Sequence, residues 1–352
     1  MPQITGYLFT YVAPCYDTCI VIDGIGQHLI GRKSLVTSKQ STKEELLILV
    51  ASLYYVENLG QAKVAQLAGI SQANVSRLLS EARKRGIVQI NVKPFSPRAQ
   101  DLEDNLKQKF NLNHVFVINS SAQRNLIQQR QAIGYFSARD VSDLIKTHYT
   151  VCVAAGRHIQ CLVDNMLPNS HTSNVTFVQA MGHISNDVQG DDAFEITRKL
   201  AKKWNGTSCS LQAPAITADI ATFKAFTSHN QIKSVLNYMD NVDLAIIGVG
   251  ISSDSVFLDR AFIAPSDMEA LTARGVVGEI CGHFFDNQGV EVNTSYKDRV
   301  IGISLQQLRD TQDVLAIVSN ANRAEAVNAA IRGGIIKSLV VDDQCAEALI
   351  KI

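Results

Sequence analysis

The sequence predicts a two-domain α/β protein, in which an N-terminal winged helix-turn-helix domain precedes a larger, open α/β domain. Residues 41–93 have the order helix, short helix, glycine turn, helix and strand. From residue 99 onwards, short β-rich runs alternate with helical patterns instead. The length of 352 residues also exceeds what one ordinary domain needs. These three observations together predict the fold class.

The first two helices of the small domain follow from capping and apolar spacing. A helix begins near residue 42, because Ser41 has a glutamate three residues later, as in a capping box. Apolar residues then recur at helical spacing until Asn58 and Gly60, which favour a helix end. A short helix is predicted over Gln61–Ala68, with Leu67 among its inward-facing residues.

A third helix and a strand complete the winged helix-turn-helix order. The helix is predicted from about Gln72 to Arg85, after a turn at Gly69 and before a stop at Gly86. The alternating run Ile87–Val92 then predicts a strand. Residues 41–93 are therefore assigned to a DNA-binding domain, and residues 1–40 remain an N-terminal extension without an assigned structure.

The charges of this segment are segregated from those of the whole chain. The sequence has 33 basic and 33 acidic residues, yet residues 61–93 have six basic residues and one acidic residue. A local charge of +5 is typical of DNA contact, since phosphate contacts supply most non-specific affinity. A basic helix could also be only a solvated surface, but the turn, cap, apolar spacing and strand all favour DNA binding. Because the start of the second helix reads base edges, the predicted base-reading residues are Ser71, Gln72, Ala73, Asn74, Ser76 and Arg77. Gln61 and Arg83 are also predicted to bind DNA.

A linker and a parallel sheet are predicted beyond the DNA-binding domain. Pro94 and Pro97 indicate a linker over residues 94–98, because proline disfavours helix in the residue before it. In the remaining domain, residues 99–352, strands are predicted at Val115–Ile118, Val151–Ala154, Val175–Gln179, Ser208–Gln212, Leu244–Val249, Val300–Ile303, Val314–Val318 and Ser338–Val341. Most of them are separated by helical patterns, which implies an open, mainly parallel sheet.

Composition excludes several classes of protein. With 46% hydrophobic and 19% charged residues, the chain is typical of a folded globular protein and not of a disordered one. Seven scattered cysteines fit neither a disulfide scaffold nor a zinc site, so no metal and no cofactor is predicted. No uninterrupted apolar run approaches the ~20 residues that span a bilayer. We therefore expect a cytoplasmic protein without a membrane partner.

Several stretches of the sequence resemble a known family. They are Tyr54–Gln61, Ala68–Ser71, Val75–Leu79 and Gly86–Val88 in the first domain, and Asp243–Gly250, Gly275–Asp286, Arg299–Leu305 and Ala330–Ile335 in the second. They resemble the SorC family of sugar-responsive bacterial transcription regulators, from about residue 43 to the C-terminus. The resemblance implies that the second domain has a fold related to sugar-phosphate isomerases and deaminases. It also implies a phosphorylated sugar or polyol as the effector.

A strand-to-helix corner supplies three predicted effector-binding residues. The strand that begins at Val151 leads into Gly156, Arg157 and His158, and ligands of open α/β sheets bind at such strand ends. Gly156 allows close approach, and the Arg157 guanidinium offers a fork for phosphate. The SorC family often has threonine at the position of His158, so this position departs from the family's pattern.

Four more effector-binding residues are predicted, three of them implied by the resemblance. Gln179 and Glu279 match family positions that contact sugar hydroxyls, and Arg323 stands where many members have a phosphate-binding lysine. Gly248 is predicted because a small residue at a strand end leaves room for ligand. A simple tight turn at Gly248 and a helix N-terminal acid at Glu279 remain alternatives of about equal weight.

An enzyme with a fused DNA-binding module is the alternative function, because the implied fold can support the proton transfer of a sugar-phosphate isomerase or deaminase. Asp254, Asp259 and His283 are the candidate catalytic residues, but no compact motif links them. We therefore predict no catalytic residue and no enzymatic activity. A single DNA-reading module recognises few base pairs, so a homodimer or homotetramer on operator DNA is expected.

Overall fold

The computed structural model describes residues 11–12, 18–22, 41–92, 97–119, 125–184, 188–259 and 263–352. The chain divides into two compact units, Met1–Phe95 and Ser96–Ile352. Most of the predicted linker lies outside the described residues, and so does the capping side chain predicted at Ser41. Among the described residues, no helix combines the length and the apolar composition needed to cross a bilayer.

The N-terminal unit has the predicted helix-turn-helix order together with a small sheet. Its elements are β1 (Tyr11–Val12), β2 (Thr18–Ile22), α1 (Ser41–Ala51), α2 (Gln61–Ala68), α3 (Gln72–Lys84) and β3 (Val88–Val92). A π-helical turn, Ser52–Val56, extends α1 towards Asn58, whose φ of 51° ends the helix. The three strands pair antiparallel in the order β1-β2-β3, so residues 1–40, unassigned from the sequence, contribute two strands.

The three helices of this unit pack around a small apolar core. Its buried residues are Leu47, Val50, Ala51, Val64, Ala65, Val75, Leu78, Leu79, Ala82 and Val88. The apolar side of α3 is buried as its spacing predicts. The inward position predicted for Leu67 is wrong, because its side chain is 54% exposed. Only the side of α2 that presents Val64 and Ala65 is buried by the neighbouring helices.

The C-terminal unit alternates strands and helices. Its strands are β4 (His114–Ile118), β5 (Thr150–Val153), β6 (Thr176–Gln179), β7 (Thr207–Cys209), β8 (Leu244–Ile247), β9 (Gly278–Ile280), β10 (His283–Phe285), β11 (Asp313–Ile317) and β12 (Ser338–Asp342). Its helices are α4 (Gln100–Phe110), α5 (Leu126–Leu144), α6 (Arg157–Asn165), α7 (Ala193–Trp204), α8 (Ile220–Ser228), α9 (Asn230–Tyr238), α10 (Val256–Asp259), α11 (Pro265–Ala273), α12 (Leu305–Asp310), α13 (Ala324–Arg332) and α14 (Asp343–Lys351).

Seven of these strands form one parallel sheet, which confirms the predicted fold class. Their order is β4-β12-β11-β8-β5-β6-β7, and every ladder is parallel. Strands β8 and β12 are buried along their whole length, as expected for a sheet covered on both faces. From β5 the chain continues to β6 and β7 on one side, and it then returns to build β8, β11 and β12 on the other. The topological switch point therefore lies between β5 and β8.

One predicted strand of this unit was wrong, and one hairpin was not predicted. The run Val300–Ile303 is buried but forms only isolated bridges, to Ile216 and Met181, instead of a sheet strand. The hairpin of β9 and β10 was not predicted, because each strand has only three residues. Its turn residues, Cys281 and Gly282, both have positive φ (52° and 88°), as a two-residue hairpin turn requires.

Helices α5 and α6 approach each other closely at Gly134. A Cβ atom at this position would lie 2.4 Å from the Cys161 carbonyl carbon. Glycine at this crossing therefore allows backbone contact that any larger residue would prevent. The contact brings the middle of α5 against the middle of α6.

Candidate functional site

A small cavity lies at the carboxyl ends of β5, β8 and β11, next to the topological switch point. Its volume is about 80 Å³. The loops after these strands, the hairpin of β9 and β10, and the first turns of α5 and α6 contribute to its wall. In open α/β sheets this position is the usual place for ligands, because loops and helix N-termini converge there.

Three arginines and one aspartate meet in this cavity. The Arg157 Nη2 atom lies 2.6 Å from Asp254 Oδ1, and the Arg130 Nη2 atom lies 3.2 Å from Asp254 Oδ2. Arg323 Nη2 also bonds Oδ2. The arginines come from three different elements: the start of α5, the start of α6 and the turn before α13. We call these four residues the arginine cluster.

The electrostatics of the arginine cluster favour anions. Burial opposes ionisation of Asp254, but the hydrogen bond from Arg323 and the charges of the three arginines lower its pKa overall. Burial, together with the charges of Arg157 and Arg323, lowers the pKa of Arg130. Because the four ionised groups carry a net charge of +2, the cluster offers charge-assisted hydrogen bonds to an incoming anion.

The backbone at the start of α6 adds to this preference. Gly156 is the N-cap residue, with a φ of 147° that side chains rarely adopt, and its N–H donates to the Asp191 carbonyl at 2.8 Å. The residues from Ala155 to Ile159 line the cavity. The N-terminus of this nine-residue helix therefore faces the same space as the arginines, and the helix dipole favours negative charge there.

His158 contributes a neutral hydrogen-bonding group to the cavity. Its Nε2 atom lies 2.7 Å from Ser319 Oγ. Burial and the nearby charges of Arg323 and Arg130 lower the His158 pKa to about 3. The imidazole is therefore uncharged at neutral pH, and it can bond to a ligand without adding a fourth positive charge.

Glu279 lies in strand β9 on another wall of the cavity. Its Oε1 atom accepts a hydrogen bond from the Gly282 N–H. A Cβ atom at Gly250 would lie 2.6 Å from Oε2, so the carboxyl group packs against glycine backbone. Burial raises the Glu279 pKa to about 7. This carboxyl group can therefore donate or accept a hydrogen bond at neutral pH. The alternative of a helix N-terminal acid was wrong, because Glu279 is in a strand.

In the other unit, α3 presents the face predicted to bind DNA. Of the predicted DNA-binding residues, Gln61 is partly exposed, and the others are exposed: Ser71, Gln72, Ala73, Asn74, Ser76, Arg77 and Arg83. The Ser71 Oγ atom accepts from the Asn74 N–H at 3.3 Å and so caps α3. Glu81, the one acid of residues 61–93, is bonded by Lys43 and Arg85, which together lower its pKa. The DNA contacts themselves stay a prediction.

Comparisons with known proteins identify the family. A family model described as "Putative sugar-binding domain" matches residues 97–351. The sorbitol operon regulator of Klebsiella pneumoniae is 27% identical over 310 residues, covering 87% of this chain and 98% of the relative. The crystal structure of the full-length regulator SorC from that organism covers 87% of this chain and 98% of its own, with a TM-score of 0.66 and 26% identity. This chain belongs to the SorC family.

A second solved structure agrees with this assignment. The "Putative Sugar-Binding Domain of Transcriptional Repressor from Vibrio fischeri" is 30% identical, with a TM-score of 0.64. It covers 72% of this chain and 98% of its own. The similarity to SorC-family structures thus includes the unit that contains the cavity.

The cavity of this SorC-family chain brings together six of the seven predicted effector residues. They are Gly156, Arg157, His158, Gly248, Glu279 and Arg323. Gln179 is outside the cavity wall and fully buried. Its Nε2 atom donates to the Met181 carbonyl at 2.8 Å, and its Oε1 atom accepts from the Leu211 N–H at 2.9 Å. Because backbone groups use both ends of the amide, Gln179 has a structural role in this structure.

Two members of the arginine cluster were not recognised as binding residues. Arg130 was not predicted at all, although it lies on the buried side of α5, where an arginine among residues such as Ile133 and Val141 is a signal. Asp254 was considered only as a catalytic candidate. Of the other two candidates, His283 pairs with Glu291 at 2.7 Å and is outside the cavity wall, and the Asp259 side chain lies outside the described residues.

Proposed function

We propose that this SorC-family protein is a transcriptional regulator whose operator binding is controlled by a phosphorylated sugar or polyol. The observation that carries the proposal is the convergence of Arg130, Arg157 and Arg323 on one cavity at the switch point of the sheet. Planar guanidinium groups match the oxygens of phosphate well. The relatives named above, a sorbitol operon regulator and a transcriptional repressor, support the regulatory role.

The remaining groups of the cavity suit the sugar part of such an effector. Neutral His158 and the Glu279 carboxyl, with its pKa near 7, can each exchange hydrogen bonds with hydroxyl groups. Gly248 and Gly250 keep the end of β8 free of side chains. A mostly apolar site with a few polar groups is typical of small-molecule recognition. A cavity of about 80 Å³ holds only a few water-sized groups, so the effector has to extend beyond it or widen it.

DNA recognition is assigned to the exposed face of α3, with Arg77 as its main base-reading residue. We infer that a homodimer or homotetramer binds operator DNA in the cytoplasm, with no membrane partner. Effector binding stabilises one quaternary arrangement, and operator affinity changes by the same coupling free energy. The protein acts by binding and needs no catalytic residue and no cofactor.

A ligand screen followed by a DNA-binding assay tests this function. Phosphorylated sugars and polyols are first screened for a rise in melting temperature, since a ligand of the native state stabilises it. Operator affinity is then measured by fluorescence anisotropy at fixed salt, with and without each hit. We expect the phosphorylated compound to change the Kd for operator, and its unphosphorylated parent to leave that Kd unchanged. The function is contradicted if saturating effector alters neither operator affinity nor oligomeric mass.

Glu279 supports the alternative of a sugar-phosphate isomerase or deaminase. A buried carboxyl group with a pKa near 7 suits general acid–base catalysis. Against this alternative, the relatives named above are described as regulators and the Asp254 carboxylate is paired with arginines. The two functions are distinguished by incubating the protein with each hit and following the sugar by NMR. Turnover that disappears in Glu279→Gln would favour the enzyme, whereas an unchanged spectrum favours the regulator.

A further inference from the structure

The arginine cluster has more hydrogen-bond donors than its single carboxylate can satisfy. Asp254 Oδ1 accepts from Arg157, whereas Oδ2 is shared by Arg130 and Arg323. Arg130 is 7% exposed, and its Nε atom has no hydrogen-bond partner among the described residues. Because buried polar groups are rarely left unpaired, the unused donor indicates that a larger acceptor belongs at this position.

A phosphate group fits the cluster better than a carboxylate does. The three guanidinium groups carry three positive charges, and Asp254 compensates only one of them. A phosphate monoester has a charge of about −1.5 to −2 at neutral pH and three acceptor oxygens. It could therefore give each arginine an oxygen of its own and compensate more of the charge.

Arg323 is held in place independently of Asp254. Arg323 is 4% exposed, and its guanidinium also donates to two backbone carbonyls, of Val249 at 3.3 Å and of Ser319 at 3.1 Å. The backbone of α5, which carries Arg130, packs closely on α6 one turn later, at Gly134. Loss of the carboxylate would thus leave the Arg323 guanidinium near its present position.

Asp254, in contrast, lies on a short turn between two anchored points. Before the turn, Gly250 exchanges backbone hydrogen bonds with Glu279 at 2.9 and 3.0 Å. After it, the Phe257 side chain is fully buried. The turn itself is closed by the Asp254 N–H, which donates to the Ile251 carbonyl at 3.1 Å. A local rearrangement of this turn is therefore enough to move the carboxylate away from the arginines.

We propose that Asp254 is an internal competitor for the phosphate of the effector. In the absence of effector its carboxylate occupies the arginines, and the bound phosphate takes its place and releases the turn from Ile251 to Ser255. The inference rests on the proposed phosphorylated effector. It adds the structural change that makes room for the phosphate group. It also accounts for the small size of the cavity, because the carboxylate and its turn fill space that the ligand needs.

Calorimetric titration of the full-length protein with inorganic phosphate tests the competition. The wild type is compared with Asp254→Asn, which keeps the size of the side chain and removes its charge. Asp240→Asn is the matched control, because Asp240 is exposed and bonds Gln307 instead of an arginine. We expect the Kd for phosphate to fall roughly tenfold in Asp254→Asn, since the competing charge is gone. The Kd of the control should equal that of the wild type.

A second measurement covers the case in which Asp254→Asn folds poorly. The melting temperature of Asp254→Asn should then rise more steeply with phosphate concentration than that of the wild type. The reason is that stabilisation by a ligand depends on the ratio of its concentration to its Kd. Asp254→Glu, which keeps the charge, should not show the gain in phosphate affinity that Asp254→Asn shows. Equal or weaker phosphate binding by Asp254→Asn overturns the competition, and so does the absence of phosphate binding in every variant.

The competition and the proposed function can fail separately. If Asp254→Asn binds phosphate more tightly but no phosphorylated sugar affects operator binding, the competition stands and the regulatory function fails. If a phosphorylated sugar controls operator binding while Asp254→Asn gains no affinity for phosphate, the function stands and the competition fails.

Discussion

His158 Nε2 and Ser319 Oγ lie 2.7 Å apart and form a hydrogen bond beside the candidate effector cavity, which His158 lines. His158 belongs to the first turn of α6, whereas Ser319 follows β11 and is fully buried. The Ser319 carbonyl also accepts from Arg323 Nη1 at 3.1 Å. The contact therefore connects the helix that carries Arg157 with the turn that carries Arg323.

Acid should weaken the folded protein through His158. Its pKa in the folded protein is about 3, below the ordinary value of 6.5, so the folded state binds fewer protons between these values than the unfolded state. The stability that His158 contributes is present above pH 6.5 and is lost as pH falls towards 3. In His158→Gln this part of the pH dependence should disappear when unfolding free energies are measured in urea from pH 4 to 7. His171→Gln, at an exposed histidine, is the control, and a wild-type slope in His158→Gln contradicts the assignment.

Glu279 should make the folded protein less stable as pH rises, which is opposite to the effect of His158. Its pKa in the folded protein is about 7, above the ordinary value of 4.5, so its contribution to stability is complete below pH 4.5 and is lost as pH rises through 7. One such group changes the unfolding free energy by at most about 1.4 kcal/mol per pH unit. Relative to wild type, Glu279→Gln should therefore gain stability with rising pH over this interval. Glu325→Gln, at an exposed position, should keep the wild-type profile. Parallel profiles for all three proteins would show that Glu279 titrates normally.

Much of the fold could be predicted from the sequence because its signals are local. Helix α2 has the predicted bounds, Gln61–Ala68, since an N-terminal glycine and a left-handed Gly69 delimit it. Seven predicted strands of the C-terminal unit form the parallel sheet, and all of them except Ser208–Gln212 are short, mainly apolar runs. Val300–Ile303 has the same composition but packs as a buried connection, which apolar content alone does not distinguish from a strand.

The site could be predicted only in part, because some of its contacts depend on tertiary geometry. Arg157 and His158 follow directly from their strand-to-helix corner. Arg130, however, lies at the cavity because α5 and α6 cross closely at Gly134. No local sequence pattern predicts this crossing. Gln179 ends a strand near the same sheet edge, but its amide bonds backbone groups beside it. Gln179 is therefore not a cavity residue, although it lies near the cavity in the fold.

Two glycine substitutions should separate stability from binding. In Gly134→Ala the new methyl group would meet the Cys161 backbone at 2.4 Å, so the helices must separate. We expect a loss of about 1–3 kcal/mol of unfolding free energy, as is usual for overpacking. In Gly248→Ala nothing lies within 4 Å of the new methyl group, so stability should stay near wild type. The same methyl group would project into the cavity and weaken effector binding. Chemical denaturation and calorimetry check the pair, and equal stability of the two variants would contradict the helix contact.

Arg77→Ala should weaken operator binding without affecting effector binding by the C-terminal unit. Arg77 is exposed near the start of α3, where a bidentate contact with guanine contributes about 1–3 kcal/mol. Fluorescence anisotropy should show a higher Kd for operator, whereas effector binding measured by calorimetry stays unchanged. Lys202→Ala removes the same charge from an exposed position of the C-terminal unit and serves as the control. Wild-type operator affinity in Arg77→Ala would exclude α3 as the base-reading helix.

Arg323→Ala should abolish the response to effector and leave operator binding intact. The guanidinium bonds Asp254 and two backbone carbonyls at the centre of the cluster, so its removal costs a phosphate one charge-assisted interaction of about 1.5–3 kcal/mol. Arg323→Lys keeps the charge but loses the planar fork, so it should retain a weakened response. Arg332→Ala, at an exposed arginine of the same helix region, is the control. The assays are effector calorimetry and operator anisotropy on each variant. If operator binding by Arg323→Ala still responds to effector at the concentrations that act on the wild type, the phosphate does not depend on Arg323 and binds elsewhere.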